Sequence, residues 1–239
     1  MKTKSLLLSS LLIASVAQGA IVAQWNFNGG STTTVPGGSS APTPSVGAGV
    51  ASLSGSATAT FASGISQGGS SDPVITSPNN FGWNTSTYGA ISSAELVNGP
   101  RFNVSTVGLT DVKVSFDLRF SNTSSRHGAL QYTTDGAAWT TARFFSTTAG
   151  DTWVNNITFD FTSIPVVNNN SAFGIRMVNA HELTATGTGA AAFVAASTTA
   201  TYGTGGTWRF DMVTVDAIPE PSTALLGAIG ALALLRRRR

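Results

Sequence analysis

Gly64-Ile65-Ser66-Gln67-Gly68 has the Gly-x-Ser-x-Gly spacing that presents a nucleophilic serine on a sharp turn between a strand and a helix. Gly69, Ser70, Ser71, Asp72 and Pro73 follow it, a run that starts no helix, and the chain is rich enough in glycine and serine for such matches to arise by chance. His127 and His181 are the only histidines, and they lack metal-ligand spacing. His127 sits beside Arg126 in a Ser/Asn-rich turn and His181 follows a strand pattern, so both read as exposed loop residues. Glycoside hydrolysis needs two carboxyl groups ~5 to 9 Å apart in a cleft. Asp117, Asp160 and Asp211 lie on strand patterns and could face a groove, but solvation or pairing with arginine is the simpler reading. No residue is assigned a catalytic role, and the chain is not read as an enzyme. Asp211 stands between Phe210 and Met212 in an aromatic strand. A carboxylate there must pair, with Arg209 or Arg176, or bind a cation.

Five tryptophans offer aromatic faces that could stack on the C–H faces of sugars. Trp25, Trp153 and Trp208 fall on strand patterns and are expected in the core. Trp83 lies in the loop-like stretch 79–87, and Trp139 lies just past a hairpin signal, so these two are the candidate ligand contacts.

The elements that would position these groups are strands. From 109 to 120, Val112, Val114, Phe116, Leu118 and Phe120 alternate with Asp111, Lys113, Ser115, Asp117 and Arg119. Thr134-Asp135-Gly136 between two apolar segments signals a hairpin. Trp153, Ile157, Phe159 and Phe161 share one parity, as do Phe173, Ile175 and Met177. Over 207–216, Trp208, Phe210 and Met212 share a face, and then Val213 and Val215 take the opposite parity. That phase slip predicts a β-bulge or burial on both faces. A single helical turn is expected at 92–97, where Ser92 and Glu95 could form a capping box. Residues 29–57 show almost no hydrophobic pattern and predict a long loop or weak edge structure. Roughly nine to twelve short strands separated by turn signals, with almost no helix, argue for a single all-β sandwich over 21–217.

Both ends of the chain stand apart from this body. Residues 1–20 have a basic start (Lys2, Lys4), an apolar centre and small residues at Ala17, Gly19 and Ala20, the pattern of a secretory signal peptide handled by Sec-type export machinery. Residues 218–239 join Pro219-Glu220-Pro221 to a small-and-apolar run and then to Arg236, Arg237, Arg238 and Arg239. As a helix the thirteen apolar positions would reach only ~20 Å, against a hydrocarbon core ~30 Å thick, so a transient, processed span fits better than a permanent anchor. Setting both ends aside leaves seven basic and ten acidic residues in the body, a net charge near −3. The basic pI therefore belongs to the two ends, and no basic stripe points to a nucleic-acid partner. Cysteine is absent, so an exported body must be held by packing or a metal ion without disulfides.

The Pro-Glu-Pro triplet, short apolar helix and arginine cluster, in that order, closely resemble the PEP-CTERM sorting signal of Gram-negative bacteria. The resemblance implies export, processing near the triplet by an exosortase-like membrane enzyme, and delivery to the cell envelope or extracellular matrix. A second resemblance, to jelly-roll domains of exported bacterial proteins, rests on Ala23-Gln24-Trp25-Asn26-Phe27-Asn28, on Tyr132-Thr133-Thr134-Asp135-Gly136 with Trp139, and on Gly206-Thr207-Trp208-Arg209-Phe210-Asp211. It implies first and last strands side by side and carries no binding site of its own. Jelly-roll domains often hold one structural Ca²⁺, for which Asp211 is the candidate ligand here, with Asn26 or Asn28 contributing if the two strands are neighbours. The function expected on these grounds is a structural or adhesive envelope or biofilm-matrix component. A carbohydrate-binding module for extracellular polysaccharide is the alternative, and a polysaccharide hydrolase the third reading.

Overall fold

The period-two patterns fold as strands. The computed structural model describes residues 19–29, 35–76, 79–220 and Gly230. Contacts divide the chain into two units, Gly19–Glu220 and the pair Met1–Gln18 with Pro221–Arg239. Of the second unit Gly230 alone is described, as helix, so the expected signal peptide (apart from Gly19 and Ala20) and the apolar run of the sorting signal lie outside the described residues. Among the described residues no helix is long and apolar enough to cross a membrane.

Among the described residues twelve strands follow in order: β1 Ala20–Trp25, β2 Val46–Gly47, β3 Val50–Ser54, β4 Thr58–Ser63, β5 Phe81–Ser86, β6 Gly99–Asn103, β7 Leu109–Phe120, β8 His127–Thr133, β9 Thr140–Ser146, β10 Thr152–Asp160, β11 Gly174–Asn179 and β12 Trp208–Pro219. A short helix, α1, spans Glu182–Thr186. The strands form two antiparallel sheets, as expected of an all-β sandwich. The first runs β10-β7-β12-β1-β2, with β5 also on β12 and β4 outside β5; the second runs β3-β6-β11-β8-β9. First and last strands are neighbours, Ala20 opposite Ala217 and Trp25 opposite Val213.

The core lies between the sheets. Val112, Val114, Phe116, Leu118 and Phe120 of β7 are buried in it, as the alternation requires, with Trp208, Phe210, Val213 and Val215 of β12 and with Phe102, Leu130, Ile175 and Met177 of the second sheet. One close approach across it depends on glycine. A Cβ on Gly128 would come within 2.6 Å of the Trp208 ring and 2.4 Å of Phe145.

The slip at Met212–Val213 is a bulge. The register of β12 against β7 shifts between Asp211 and Thr214, and Met212 takes a φ of 47°. The sheet also forks there: on one edge of β12, β5 pairs with Trp208–Phe210 and β1 with Val213–Ala217, which leaves Asp211 and Met212 in the gap. A second bulge, between Val154 and Ile157, breaks the parity expected for β10. Trp153 consequently lies opposite Arg119 on the outer face, while Ile157 lies opposite Phe116 on the core side.

Three expectations are corrected. Residues 92–97 form turns and bends without a helix; Leu96 has a φ of 59°, and Glu95 accepts from the His181 amide (2.7 Å) and Thr184 Oγ1 (2.6 Å) instead of closing a capping box. The loop-like stretch 79–87 contains β5. His127 is buried at 6% exposure, within β8 and not in a free turn. The weakly patterned stretch 29–57 does end in edge structure, β2 of two residues and β3 of five.

Candidate functional site

Two outward faces carry the chemistry-bearing residues. On the second sheet, Arg101 of β6, Arg176 of β11 and Gln131 of β8 stand abreast in register. Strand alternation places them opposite to Phe102, Ile175 and Tyr132, away from the core. Trp139, just before β9, is half-buried over them, its ring centroid 4.4 Å from Arg176 Cζ and 5.1 Å from Arg101 Cζ. Both contacts have cation–π geometry. The guanidinium groups are held by neutral acceptors: Arg176 donates to Gln131 Oε1 (2.8 Å), Ser54 Oγ and the Leu96 carbonyl, and Arg101 to Asn103 Oδ1 (2.7 Å) and the Gly136 carbonyl. Among the described residues neither arginine forms an ion pair. Burial, and then the neighbouring charge of Arg101, bring Arg176 down to about 10, still fully cationic at neutral pH.

Trp83, the other expected platform, is unavailable. It is fully buried at 0% exposure, packed between Phe27 and Phe102, and its Nε1 donates to the Ser39 carbonyl. Gly82 explains the misreading. It resembles a loop residue, but a side chain there would strike Arg209 Cγ at 2.7 Å and the Phe210 carbonyl at 2.9 Å, so glycine lets β5 close on β12.

On the outer face of the first sheet, residues 64–76 cross over β7, β10 and β12. Trp153 Nε1 donates to the Ser66 carbonyl, Asn155 to the Gly69 carbonyl, and Arg209 Nη1 to the Ser63 carbonyl and Ser66 Oγ. Beneath this segment lie three buried aspartates, Asp72, Asp117 and Asp211. Asp117 and Asp211 are cross-strand partners. Asp211 accepts from Ser70 Oγ (2.5 Å) and the Met212 amide (2.8 Å), and Asp117 from the amides of Ser71 and Asn156. Asp72 accepts from Asn28 Nδ2 (2.8 Å) and the Val74 amide (2.7 Å). Neither Arg209 nor Arg176 pairs with Asp211. Desolvation raises the Asp211 carboxyl well above its ordinary range, and the charges of Asp72 and Asp117 add to this.

Asn26 and Asn28, named with Asp211 as candidate ligands, are both held by hydrogen bonds. Asn26 Oδ1 accepts from the Asn28 amide. Asn28 Oδ1 accepts from the Phe81 amide, and its Nδ2 donates to Asp72, so Asn28 orients a carboxylate. The oxygen that does remain is Asn80 Oδ1, buried and without a hydrogen-bond partner. Among the described residues no three His, Cys, Asp or Glu side chains gather into a metal site. Sequence alone did not single out Asn80, which reads as one more polar residue before a glycine-broken strand.

The serine motif becomes a 3₁₀ turn over Ser66–Gly68 in which Gln67, at φ 55°, is the strained residue. Ser66 Oγ donates to the Ser63 carbonyl; His127 lies on β8 of the other sheet and His181 just before α1, held by Glu95 and the Ser93 carbonyl, so neither is bonded to the serine. His127 Nε2 has no hydrogen-bond partner, and burial, followed by the charge of Arg126, holds its pKa below 6.5. With the folded value below the unfolded one, the unfolded chain takes up the proton first. Stability is expected to be complete above the ordinary histidine value and to fall as pH drops through about 6.5. Urea midpoints at neutral and mildly acidic pH should show this loss, and His127→Gln should reduce it.

At the other end of β12, Ile218 lies opposite Thr110 and Pro219 opposite Leu109, and the Glu220 amide donates to the Gly108 carbonyl at 2.9 Å. The first two residues of the Pro-Glu-Pro triplet are thus held against the sheet, though exposed, and the strand runs two residues past the expected boundary at 217.

Residues 217–239 match the PEP-CTERM protein-sorting motif. The match implies an exported protein that is sorted at a membrane and processed by an exosortase. Among curated proteins none matches the chain. Of solved structures, the CBM22-1–CBM22-2 tandem domain of Paenibacillus barcinonensis Xyn10C is 11% identical at a TM-score of 0.44, with 87% of this chain and 49% of that one covered. The chain thus spans about half the length of that structure. The CBM22-1 xylan-binding domain of the same protein is 12% identical at a TM-score of 0.42, over 87% of this chain and 100% of that one. The cleaved adhesin domain K1 of Lys-gingipain from Porphyromonas gingivalis W83 is 11% identical at a TM-score of 0.33, over 73% of this chain and 100% of that one.

Proposed function

We propose that this chain is a structural or adhesive component of the cell envelope or extracellular matrix, sorted through its PEP-CTERM motif, with a jelly-roll-like sandwich that holds matrix polysaccharide on the Trp139 face. Support for the destination is the motif at 217–239. Support for the jelly-roll reading is the pairing of β1 with β12.

The observation that carries the binding reading is Trp139 stacked over Arg101 and Arg176, two cations without a carboxylate partner among the described residues. On a body of net charge near −3, two unneutralised guanidinium groups beside an indole are a local reversal of sign. Planar guanidinium forks match carboxylates and sulfates, and the indole offers an apolar face to a sugar ring. The favoured ligand class is therefore an acidic polysaccharide. This reading assigns the body no catalytic step: Asp117 and Asp211, cross-strand partners on the outer face of the other sheet, are buried beneath residues 64–76.

Affinity electrophoresis through gels containing alginate or neutral xylan tests the binding reading. The protein is expected to be retarded by alginate and much less by xylan. Trp139→Ala and Arg101→Ala should each weaken retardation about tenfold, equivalent to ~1.4 kcal/mol. Equal mobility of wild type and both variants in every gel would overturn the binding reading and leave a purely structural role. Release of sugar from either polymer, abolished by replacing one carboxylate, would favour the hydrolase reading.

A further inference from the structure

The first and last strands leave the body at one rim. β1 begins at Ala20, opposite Ala217, and the Glu220 amide donates to the Gly108 carbonyl at 2.9 Å. Two loops build the rim beside them, 104–108 after β6 and 161–173 before β11. They are bonded to each other and to the start of β7. Thr106 Oγ1 donates to the Val167 carbonyl (2.6 Å), the Gly108 amide to Asn169 Oδ1 (2.9 Å), and the Asn169 amide to the Leu109 carbonyl (2.9 Å). Neither loop carries a charge: no Asp, Glu, Lys or Arg stands from Phe102 to Thr110 or from Phe161 to Ile175. Each loop nevertheless raises a valine into solvent, Val107 at 59% and Val166 at 61% exposure. Val50, opposite Asn103 at the same end of the second sheet, is 62% exposed. A single exposed valine needs no explanation, but three at an uncharged rim mark a surface that meets something apolar.

The chain itself sets what this rim can meet. Only Pro221 and Ser222 separate Glu220 from the apolar run that starts at Thr223. Three residue steps reach at most ~11 Å. The thirteen apolar positions add ~20 Å as a helix, so the chain from the arginine cluster to Glu220 spans little more than the ~30 Å hydrocarbon core. Arginines beside a span stay with the cytoplasmic headgroups. Glu220, and Gly108 bonded to it, then stand no farther out than the opposite headgroup layer.

We propose that, until the tail is cut, this rim rests on the outer surface of the bilayer with Val107 and Val166 set into the headgroup boundary. The proposal rests on the membrane sorting implied by the motif at 217–239 and is independent of the polysaccharide reading. An uncharged rim gives up little hydration there, and valine gains by leaving water. Asp160, at the end of β10, is paired with Lys113 at 3.1 Å, and the exposed Glu220 stays among the headgroups. Two or three valines are too small an anchor to hold the body alone, so the contact is released with the tail. While it lasts, it keeps Pro219 and Glu220 at the height of the bilayer surface, where a membrane enzyme works.

The chain has no cysteine, so one introduced thiol carries an environment-sensitive dye without competition. The test labels Val107→Cys, Val166→Cys, Leu183→Cys or Ala231→Cys in the full chain, reconstituted in phosphatidylcholine–phosphatidylglycerol vesicles with and without a lipid-borne quencher at the headgroup–acyl boundary. Leu183, 42% exposed and past the other end of β11, is the control, and position 231 reports whether the apolar run is in the membrane. Quenching of about threefold is expected at 107 and 166, as for side chains within ~5–10 Å of that boundary, with strong quenching at 231 and little at 183. Val166→Glu should remove most of the quenching at 107. Quenching at 231 without quenching at 107 and 166 would overturn the docking and leave the membrane reading standing. No quenching at 231 would overturn both. Equal quenching at 107, 166 and 183 would mean adsorption without a preferred face and would overturn the docking. Should a labelled variant fail to fold, hydrogen exchange of the unlabelled chain decides. Loops 104–108 and 164–168 should exchange more slowly on vesicles than after cutting past Glu220, and unchanged rates would overturn the proposal.

Discussion

Ending the chain at Glu220 is expected to leave the sandwich as stable as before and to abolish its sorting at the membrane. The two halves of this outcome have separate causes. Every strand of the body is complete by Pro219, and the last hydrogen bond, from the Glu220 amide to the Gly108 carbonyl, survives the truncation. Unfolding midpoints should agree with those of the processed protein to within ~0.5 kcal/mol, the usual range for changes away from packed features. Sorting should fail completely, because residues 221–239 carry the rest of the matched motif, including Arg236 to Arg239. Fractionation of cells and medium would report it. Truncated protein that still sediments with the envelope would show that retention resides in the body.

The same geometry constrains where processing takes place. A protease needs an extended strand free of other partners, whereas Ile218, Pro219 and Glu220 are tied to the Thr110, Leu109 and Gly108 side of the sheet. Intact-mass measurement of the delivered protein should therefore find a C-terminus at Glu220 or beyond. A terminus before Ile218 would require the end of β12 to peel from β7 before cutting, and would overturn this constraint.

Features set by local periodicity were legible in the sequence, and features set by the meeting of distant segments were not. The alternation of β7 and the hairpin at Asp135-Gly136 follow from side chains one or two residues apart. So does the bulge at Met212, because a change of phase is itself a local signal. Trp83 was misread because Gly82 weakens the strand pattern, and its purpose, contact with Arg209 and Phe210, lies more than a hundred residues away. Trp153 was placed on the wrong face because the one extra residue of the β10 bulge, between Val154 and Ile157, switches the face without marking the sequence parity of the apolar residues. Asp211 drew notice as a charge in an aromatic strand. Its surroundings, however, are assembled from Asn80, Ser70 and Asp72, whose sequence context is that of an ordinary polar loop. Trp139 was recognisable as an aromatic outside the strand pattern, but the arginines beneath it come from β6 and β11 and become neighbours only through register.

Replacing Trp208 by alanine should be the most damaging single change in the body. The ring is fully buried, with Tyr88 4.8 Å away, Phe120 and Phe145 each at 5.6 Å, and Phe210 at 6.2 Å. Its Nε1 donates to the Ser125 carbonyl at 2.9 Å in a buried bond. Truncation removes the apolar contacts and leaves a cavity, at a cost of about 3–5 kcal/mol. The stranded Ser125 carbonyl adds ~1–3 kcal/mol. Together these approach the whole stability of an ordinary domain, about 5–15 kcal/mol. Trp208→Ala should therefore be largely unfolded or recovered only at low temperature, with a urea midpoint far below wild type. Trp208→Phe separates the two contributions, since it restores most of the packing without the donor, and should fall between them. Gly128→Ala probes the same contact from the opposite sheet. Its added methyl would stand 2.6 Å from the Trp208 ring and 2.4 Å from Phe145, so it should cost about 1–3 kcal/mol by overpacking. In the Trp208→Phe background that penalty should shrink, because the smaller ring vacates the space the methyl needs. Equal penalties in the two backgrounds would mean that Gly128 and Trp208 do not meet across the core.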